Sequence, residues 1–162
     1  MISAELLRKI LVYDPLDGSW VWRINSAAAT KAGDQAGHLD EKGYHRISIK
    51  GRNYRSHRLA WLYMTGEWPK NQIDHRDRNR ANNRWANLRI ATKSQNGSNT
   101  GPYRTNKCGL KGVHQRKNGR FLASIQVRKK KIHIGVFDTA EDAHAAYCRM
   151  SSRLHGEFGA SS

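Results

Sequence analysis

Between positions 72 and 99 the chain runs QIDHRDRNRANNRWANLRIATKSQNGSN, and the order of local structure written there restricts the fold more than any other feature. Residues 72–75 and 87–92 each read as a short strand, and the Arg- and Asn-rich stretch 76–86 between them reads as a loop. Thr92 followed by Gln95 is a capping-box pattern, which starts a helix and puts Asn96 in its first turn. In a strand, loop, strand, helix order, Asp74 at the end of the first strand and Asn96 on the helix can bring two oxygen donors to one cation.

Hydrolysis of a phosphodiester needs a base to activate water, a cation to stabilise charge on the phosphorus oxygens, and help for the leaving oxygen. Asp74 and Asn96 suit the cation and His75 suits the base. Carboxylate and amide oxygens are hard ligands that favour Mg²⁺ or Mn²⁺ over zinc, and one carboxylate is too few for a two-metal clamp. The expectation is one hydrated Mg²⁺ per site. An isolated Asp-His pair is more often structural than catalytic; the second strand, the capping box and Asn96 lift this one above that background. Asn79, Asn82 and Asn83 read as turn chemistry, and His57, near a helix start, as a packing residue. Arg76, Arg78, Arg80, Arg84 and Arg89 surround the centre with guanidinium groups suited to phosphate, and DNA contacts are expected at Arg76, Arg78 and Arg84.

Upstream, Ser3 caps a helix bearing Leu6, Leu7, Ile10 and Leu11, which Asp14-Pro15 should stop. Asp17-Gly18 turns into a strand at residues 20–22, residues 30–40 read as loop, and alternation over residues 44–50 gives a second strand that turns at residues 51–53. Ser56 is the expected cap of a buried helix through Leu59, Leu62 and Tyr63, with Gly66 as terminator. Beyond Gly97, the stretch to Gly109 has no period and is rich in Gly, Asn, Ser and Thr, so it reads as a basic linker. Three strand-like runs follow, at 110–116, 120–127 and 131–137, with Asn118-Gly119 as a hairpin turn. Thr139 then caps a helix with Ala143, Ala146, Tyr147, Met150 and Leu154 on one face.

Charge narrows the partner. The formal net charge is +16. It sits at −2 over residues 1–41, +10 over 42–100 and +8 over 101–162. Two separate basic regions point to a polyanion, and nucleic acid is the commonest one. No apolar run is long enough for a membrane span, and the first residues lack the pattern of a secretory signal, so the expectation is a cytoplasmic protein with no membrane partner. Cys108 and Cys148 lie far apart outside any C-x-x-C pattern and are read as reduced thiols.

Over residues 57–99 the sequence resembles the HNH endonucleases, specifically the phage and intron-encoded homing group. The resemblance implies that His75 is the general base and Asp74 a metal ligand. It implies further that Asn87 in the ANL run braces the loop and orients the base, and that Asn96 is the second metal ligand. The segment LVYDPLDGSWVW, residues 11–22, also resembles the opening of phage proteins of this type. Residues 111–158 resemble the plant ethylene-response-factor (APETALA-two type) DNA-binding domain, a three-stranded sheet with one helix, and a sheet of that width can lie in a major groove. By that resemblance DNA contacts fall at Lys111, His114, Arg116, Ser124, Gln126, Lys131 and His133. Alternation along the middle strand agrees: Phe121, Ala123, Ile125 and Val127 form one face, apt to cover the helix, and Arg120, Ser124 and Gln126 face away. The usual hydrophobic ending after HGEF is replaced by residues 159–162.

The fold expected is α+β: a ββα-metal (HNH) nuclease core with an N-terminal helix and strand flank, then a small three-stranded antiparallel sheet plus one helix. The expected domains are a flank at 1–55, a core at 56–99, a linker at 100–109 and a DNA-binding module at 110–158. The function expected is a homing-type endonuclease acting on double-stranded DNA as a monomer or weak dimer. A regulator that kept the nuclease scaffold without activity is the alternative, and an RNA-binding protein is a third reading motivated by charge alone.

Overall fold

The computed structural model describes residues 1–25, 30–103, 105–127 and 130–159. The altered C-terminal ending at residues 160–162, and Arg104 within the expected linker, lie outside them. The chain divides into two compact units, residues 1–91 and residues 92–162. That division falls ahead of the stretch read as the linker.

The first unit mixes two helices with three small antiparallel sheets. Helix α1 (Ala4–Ile10) begins where Ser3 accepts a hydrogen bond from the Leu6 amide, as its capping pattern predicts. It stops well before Asp14-Pro15, because Leu11 is already extended and opens β1 (Leu11–Tyr13). β1 pairs with β2 (Trp20–Trp22). The reason is visible in the sequence after the fact: Leu11 and Tyr13 alternate inward beside Trp20 and Trp22, and all four are buried.

A second sheet has the order β3 (His38–Leu39), β4 (His45–Ile49), β5 (Arg52–Arg55). β3 lies in the stretch expected to be wholly loop, and the turn into β5 comes at Lys50-Gly51, earlier than residues 51–53. Helix α2 (Ser56–Thr65) follows directly and ends on Gly66 at φ 83°. Ser56 is inside this helix rather than at its cap, since its hydroxyl is bonded to His45 Nδ1. The third sheet pairs β6 (Gln72–His75) with β7 (Leu88–Ala91), with a short 3₁₀ turn over Trp85–Asn87 between them.

One core runs through the whole of this unit, from Ile2 and Leu7 through Trp20, Ile47, Leu59 and Leu62 to Ile73 and Leu88. Residues 1–55 therefore share their core with the strands that follow and do not form a separate layer.

The second unit opens with α3 (Lys93–Ser98), where Thr92 and Gln95 form the expected reciprocal capping box. Its sheet has the order β10 (Lys130–Phe137), β9 (Phe121–Val127), β8 (Val113–Gln115), all antiparallel, and α4 (Ala140–His155) packs against it. Thr139 caps α4 by accepting from the Asp142 amide. Ala143, Ala146 and Tyr147 are buried as expected, but Leu154 is 41% exposed and Ser151 takes the inward place at that end. Gly112 has φ 77°, and a Cβ there would stand 2.0 Å from the Tyr147 ring, so both conformation and space require glycine.

Candidate active site

β6 ends in two buried, chemically active side chains. Asp74 and His75 are each 5% exposed, and their strand partners are Arg89 and Leu88. Asp74 Oδ2 accepts from Arg89 Nε at 2.9 Å, and Arg89 Nη2 stands 2.8 Å away, so the carboxylate is held in a buried ion pair. Arg89 was expected on the phosphate side with its loop neighbours; it is instead 6% exposed and committed to Asp74.

His75 is fixed by a residue that the loop reading put down to turn chemistry. Asn83, 2% exposed, donates from Nδ2 to the Ala81 carbonyl at 3.1 Å, which aims its Oδ1 at His75 Nε2, 3.2 Å away. An amide oxygen only accepts, so Nε2 carries the hydrogen and Nδ1 carries the lone pair that can take a proton. Burial pushes the His75 pKa below its ordinary 6.5, and Arg80 acts in the same direction. The Asn83 bond and the charges of Asp77 and Asp74 offset part of the shift. The ring is thus uncharged at neutral pH.

Asn87 sits at the hub of the loop. Its Oδ1 accepts from the Asp77 amide at 3.0 Å, and its Nδ2 donates to Asp77 Oδ1 at 2.9 Å and to the Asn82 carbonyl at 2.8 Å. Asn82 Nδ2 also donates to Asp77 Oδ2 at 2.6 Å. Burial works against the charged form of Asp77, yet these donors hold its carboxyl below the usual range. Asn87 does not touch His75; it closes the loop whose far end, Asn83, does. Asn79 and Asn82 serve turn geometry as expected.

The N-terminal segment buttresses the same loop. Tyr13 Oη donates to the Asn83 carbonyl at 2.6 Å, and the Trp85 amide donates to the Pro15 carbonyl at 2.9 Å. Gly18, at φ 82°, lies so close that a Cβ would be 2.5 Å from the Arg84 nitrogen. Nothing in the Asp17-Gly18 pair alone foretold this approach, because the partner backbone is more than sixty residues away.

His57 belongs to the site by contact. It is 4% exposed, its ring meets that of His75 edge-on at 5.0 Å between centroids, and Tyr44 lies beside both rings at 5.5 and 6.3 Å. Burial, then the neighbouring His75, Arg55 and Arg58, push its pKa down to about 3.

Arg76, Arg78 and Arg84 are exposed on the loop, with Arg78 in the left-handed region at φ 64°. Asn96 lies on α3 in the second unit. Of the sheet residues, His114, Gln126, Lys131 and His133 are exposed strand residues and Arg116 is exposed just past β8. Register places Gln126 opposite Lys131 and Ser124 opposite His133. Ser124 departs from the expected outward exposure: at 6% it is buried. Lys111 is half-buried, and its ammonium donates to the Ser98 carbonyl.

No group of three or more His, Cys, Asp or Glu side chains suited to hold a metal occurs among the described residues. The Asp74 carboxylate is a hard oxygen donor of the kind that suits a hydrated, oxygen-preferring ion and not a closed zinc site. No helix among the described residues is long and apolar enough to cross a membrane.

Residues 54–98 match a family model described as HNH endonuclease. The chain is 31% identical over 125 residues to an uncharacterized HNH endonuclease of Acanthamoeba polyphaga mimivirus, covering 76% of this chain and 64% of that protein. It thus spans a little under two thirds of that relative's length. Among solved structures it is similar to the HNH homing endonuclease I-HmuI in a study of DNA binding and cleavage, with 23% identity, a TM-score of 0.44, and coverage of 60% of this chain and 55% of the other. The match to the family model falls on residues 54–98, the segment that contains Asp74, His75, Asn83, Asn87 and Asn96.

Proposed function

We propose that this protein is a metal-dependent DNA endonuclease of the HNH homing type, in which His75 is the general base and the second unit docks on duplex DNA. The observation that carries the reading is the setting of His75: a buried imidazole whose Nε2 is hydrogen-bonded to Asn83 Oδ1, within a segment that matches the HNH endonuclease model. A base must present a lone pair to its water in a fixed direction, and this arrangement supports Nδ1 in that role.

Asp74 and Asn96 would hold one divalent cation, Mg²⁺ or Mn²⁺, which supplies stabilisation of the charge that builds on the phosphate oxygens. His75 Nδ1 takes the proton from the attacking water, and Asn83 keeps the ring from turning. Asn87 acts one step behind, by closing the loop that presents Asn83. Arg76, Arg78 and Arg84 pair with phosphates near the cut. His114, Arg116, Gln126, Lys131 and His133 offer the second unit's polar surface to the duplex, as the ethylene-response-factor resemblance implies, and basic charge on both units supports DNA as the partner. Ser124 and Lys111 are weaker members of that set, the first because it is buried and the second because its ammonium is occupied.

The regulator reading draws on one feature, the Arg89 ion pair that already engages Asp74. Conversion of supercoiled plasmid to nicked and linear forms, in Mg²⁺ and in chelator, decides between them. Metal-dependent conversion by the wild type, reduced at least about a hundredfold in His75→Ala with DNA binding retained, is the expected result. Equal cutting by His75→Ala removes the proposed base, and binding without cutting leaves the regulator.

A further inference from the structure

Two arginines from distant parts of the first unit stack on one aromatic ring beside His75. The Arg55 guanidinium lies 4.2 Å from the Tyr44 ring centroid, and that of Arg80 lies 4.9 Å from it. Arg55 ends β5, Arg80 stands on the loop after β6, and Tyr44 immediately precedes β4. Three elements therefore deliver two like charges to one side chain.

The arrangement is built rather than incidental. Asp40 Oδ1 accepts from the Lys42 and Tyr44 amides, both at 2.9 Å, which fixes the turn ahead of β4. That turn offers the Lys42 carbonyl, to which Arg80 Nη1 donates at 3.0 Å. Asp40 lies close enough to feel Arg55, but its carboxylate is paired with Arg46 at 2.7 Å. Neither Arg55 nor Arg80 has a carboxylate within ion-pair distance among the described residues.

Like charges held together repel, and the arrangement is favourable when an anion comes between or across them. A guanidinium held over a ring by its central carbon still has N–H donors available for oxygen. We infer that Arg55, Arg80 and Tyr44 form a clamp for one backbone phosphate of bound DNA, with Tyr44 as the positioning residue that holds both guanidiniums beside His75. The clamp rests on DNA being the partner, as proposed above, but not on cutting. The Tyr44 ring lies 6.3 Å from the His75 ring, so a phosphate gripped there would set the register of the strand at His75.

The test is equilibrium binding of a labelled random-sequence duplex over a range of salt, by the full chain without metal. Arg80→Gln and Tyr44→Leu should each weaken binding about fivefold to tenfold, whereas Tyr44→Phe, which keeps the ring, should stay within about twofold of wild type. Arg80→Lys should behave like Arg80→Gln more than like wild type, because an ammonium cannot lie flat on the ring. The double variant of Arg55→Gln and Arg80→Gln should lower the slope of log affinity against log salt by about 0.9, the share of one phosphate. An unchanged slope overturns the clamp, and a loss of about twice that size means two separate phosphates and overturns it as well. If Tyr44→Leu does not fold, Arg80→Gln and the double variant decide alone. Plasmid nicking by the same preparations separates the two readings: a wild type that binds with the expected slopes but does not nick sinks the nuclease and leaves the clamp. A wild type that nicks while the variants bind unchanged does the reverse.

Discussion

The two units stabilise themselves by different means. The first buries Trp20, Leu7, Leu11, Ile47, Leu59 and Leu62 almost completely, and inside that aromatic and aliphatic mass it also hides His57, Asp74, His75 and Arg89. The second gathers its core around Val113, Ala123 and Ala143, with half-buried Phe121 and Phe137 against them. A large core can bear the cost of desolvating polar groups, which is what buried histidines and a fixed ion pair require. A small one bears less: its buried polar side chains are the uncharged Asn99, Ser124 and Ser151, and most of its charged side chains stay on the surface, where a polyanion can reach them.

Ion pairs put that contrast to its hardest test. Arg89→Ala leaves the Asp74 carboxylate buried without its partner, and the expected loss is about 3–5 kcal/mol in urea unfolding. The Arg120 and Asp138 pair of the second unit is equally short at 2.7 Å, but its side chains are 48% and 82% exposed. Arg120→Ala should cost at most about 1 kcal/mol. Similar losses for the two would mean that burial does not separate the units as described.

Two glycines sharpen the comparison at the next level of effect. Gly18→Ala drives a Cβ to 2.5 Å from backbone atoms of Asn83 and Arg84, whereas Gly112→Ala drives one into the Tyr147 side chain. Both carry a positive φ, which alone costs a substituted residue about 1–3 kcal/mol. Backbone cannot step aside and a side chain can, so Gly18→Ala should be the more damaging. It should also disturb His75, because Asn83 is the displaced residue. The check is nicking activity of each variant at a temperature where both remain folded; a Gly18→Ala protein with wild-type activity contradicts the buttress.

The part of this arrangement that could be read in the sequence is the part encoded locally. The Thr92 and Gln95 capping box, the Thr139 cap, the Asn118-Gly119 turn and the β6, loop, β7 order all depend on residues within a few positions of each other. Asp74 and His75 were legible because they close such a segment. What escaped was non-local. Asn83 looks like its neighbours Asn79 and Asn82 until the fold brings it under His75, and Arg89 looks like one more phosphate-facing arginine until strand pairing sets it opposite Asp74. Leu11 was assigned to helix by periodicity, which its pairing with Trp22 overrides. Ser124 was placed outward by simple alternation, yet it is buried.

Acid should unfold the first unit before the second. His57 stays neutral in the folded protein down to about pH 3, while in the unfolded chain it binds a proton near its ordinary 6.5. Between those values the unfolded state holds more protons, so the stabilisation is fully present above 6.5 and is lost as pH falls, by about 1.4 kcal/mol per pH unit. Burial lowers His75 as well and adds in the same direction. Amide hydrogen exchange at pH 7 and pH 5, each taken relative to the intrinsic rate at that pH, should show the larger acceleration on acidification in β4, β6 and α2, and His57→Gln should flatten it. An equal acceleration across β8, β9 and β10 would remove the histidines as the cause.

The smallest effect tests the second unit's dependence on local contacts. Thr139 accepts from the Asp142 amide at 3.1 Å and donates to the Asp142 carboxylate at 2.6 Å, so it anchors the first turn of α4 from both sides. Thr139→Ala should cost about 1 kcal/mol. Ser3→Ala removes the matching bond from α1, whose own end is tied by Arg8 to the Tyr63 carbonyl and whose Leu7 and Ile10 are sunk in the large core. Long-range packing holds α1 in place with or without its cap, whereas α4 closes a smaller core around Val113, Ala123 and Ala143 and has less to fall back on. Exchange of α4 amides should therefore accelerate about fivefold in Thr139→Ala. The α1 amides should change less in Ser3→Ala. The opposite ranking would show that the second unit is held by more than its small core and its caps.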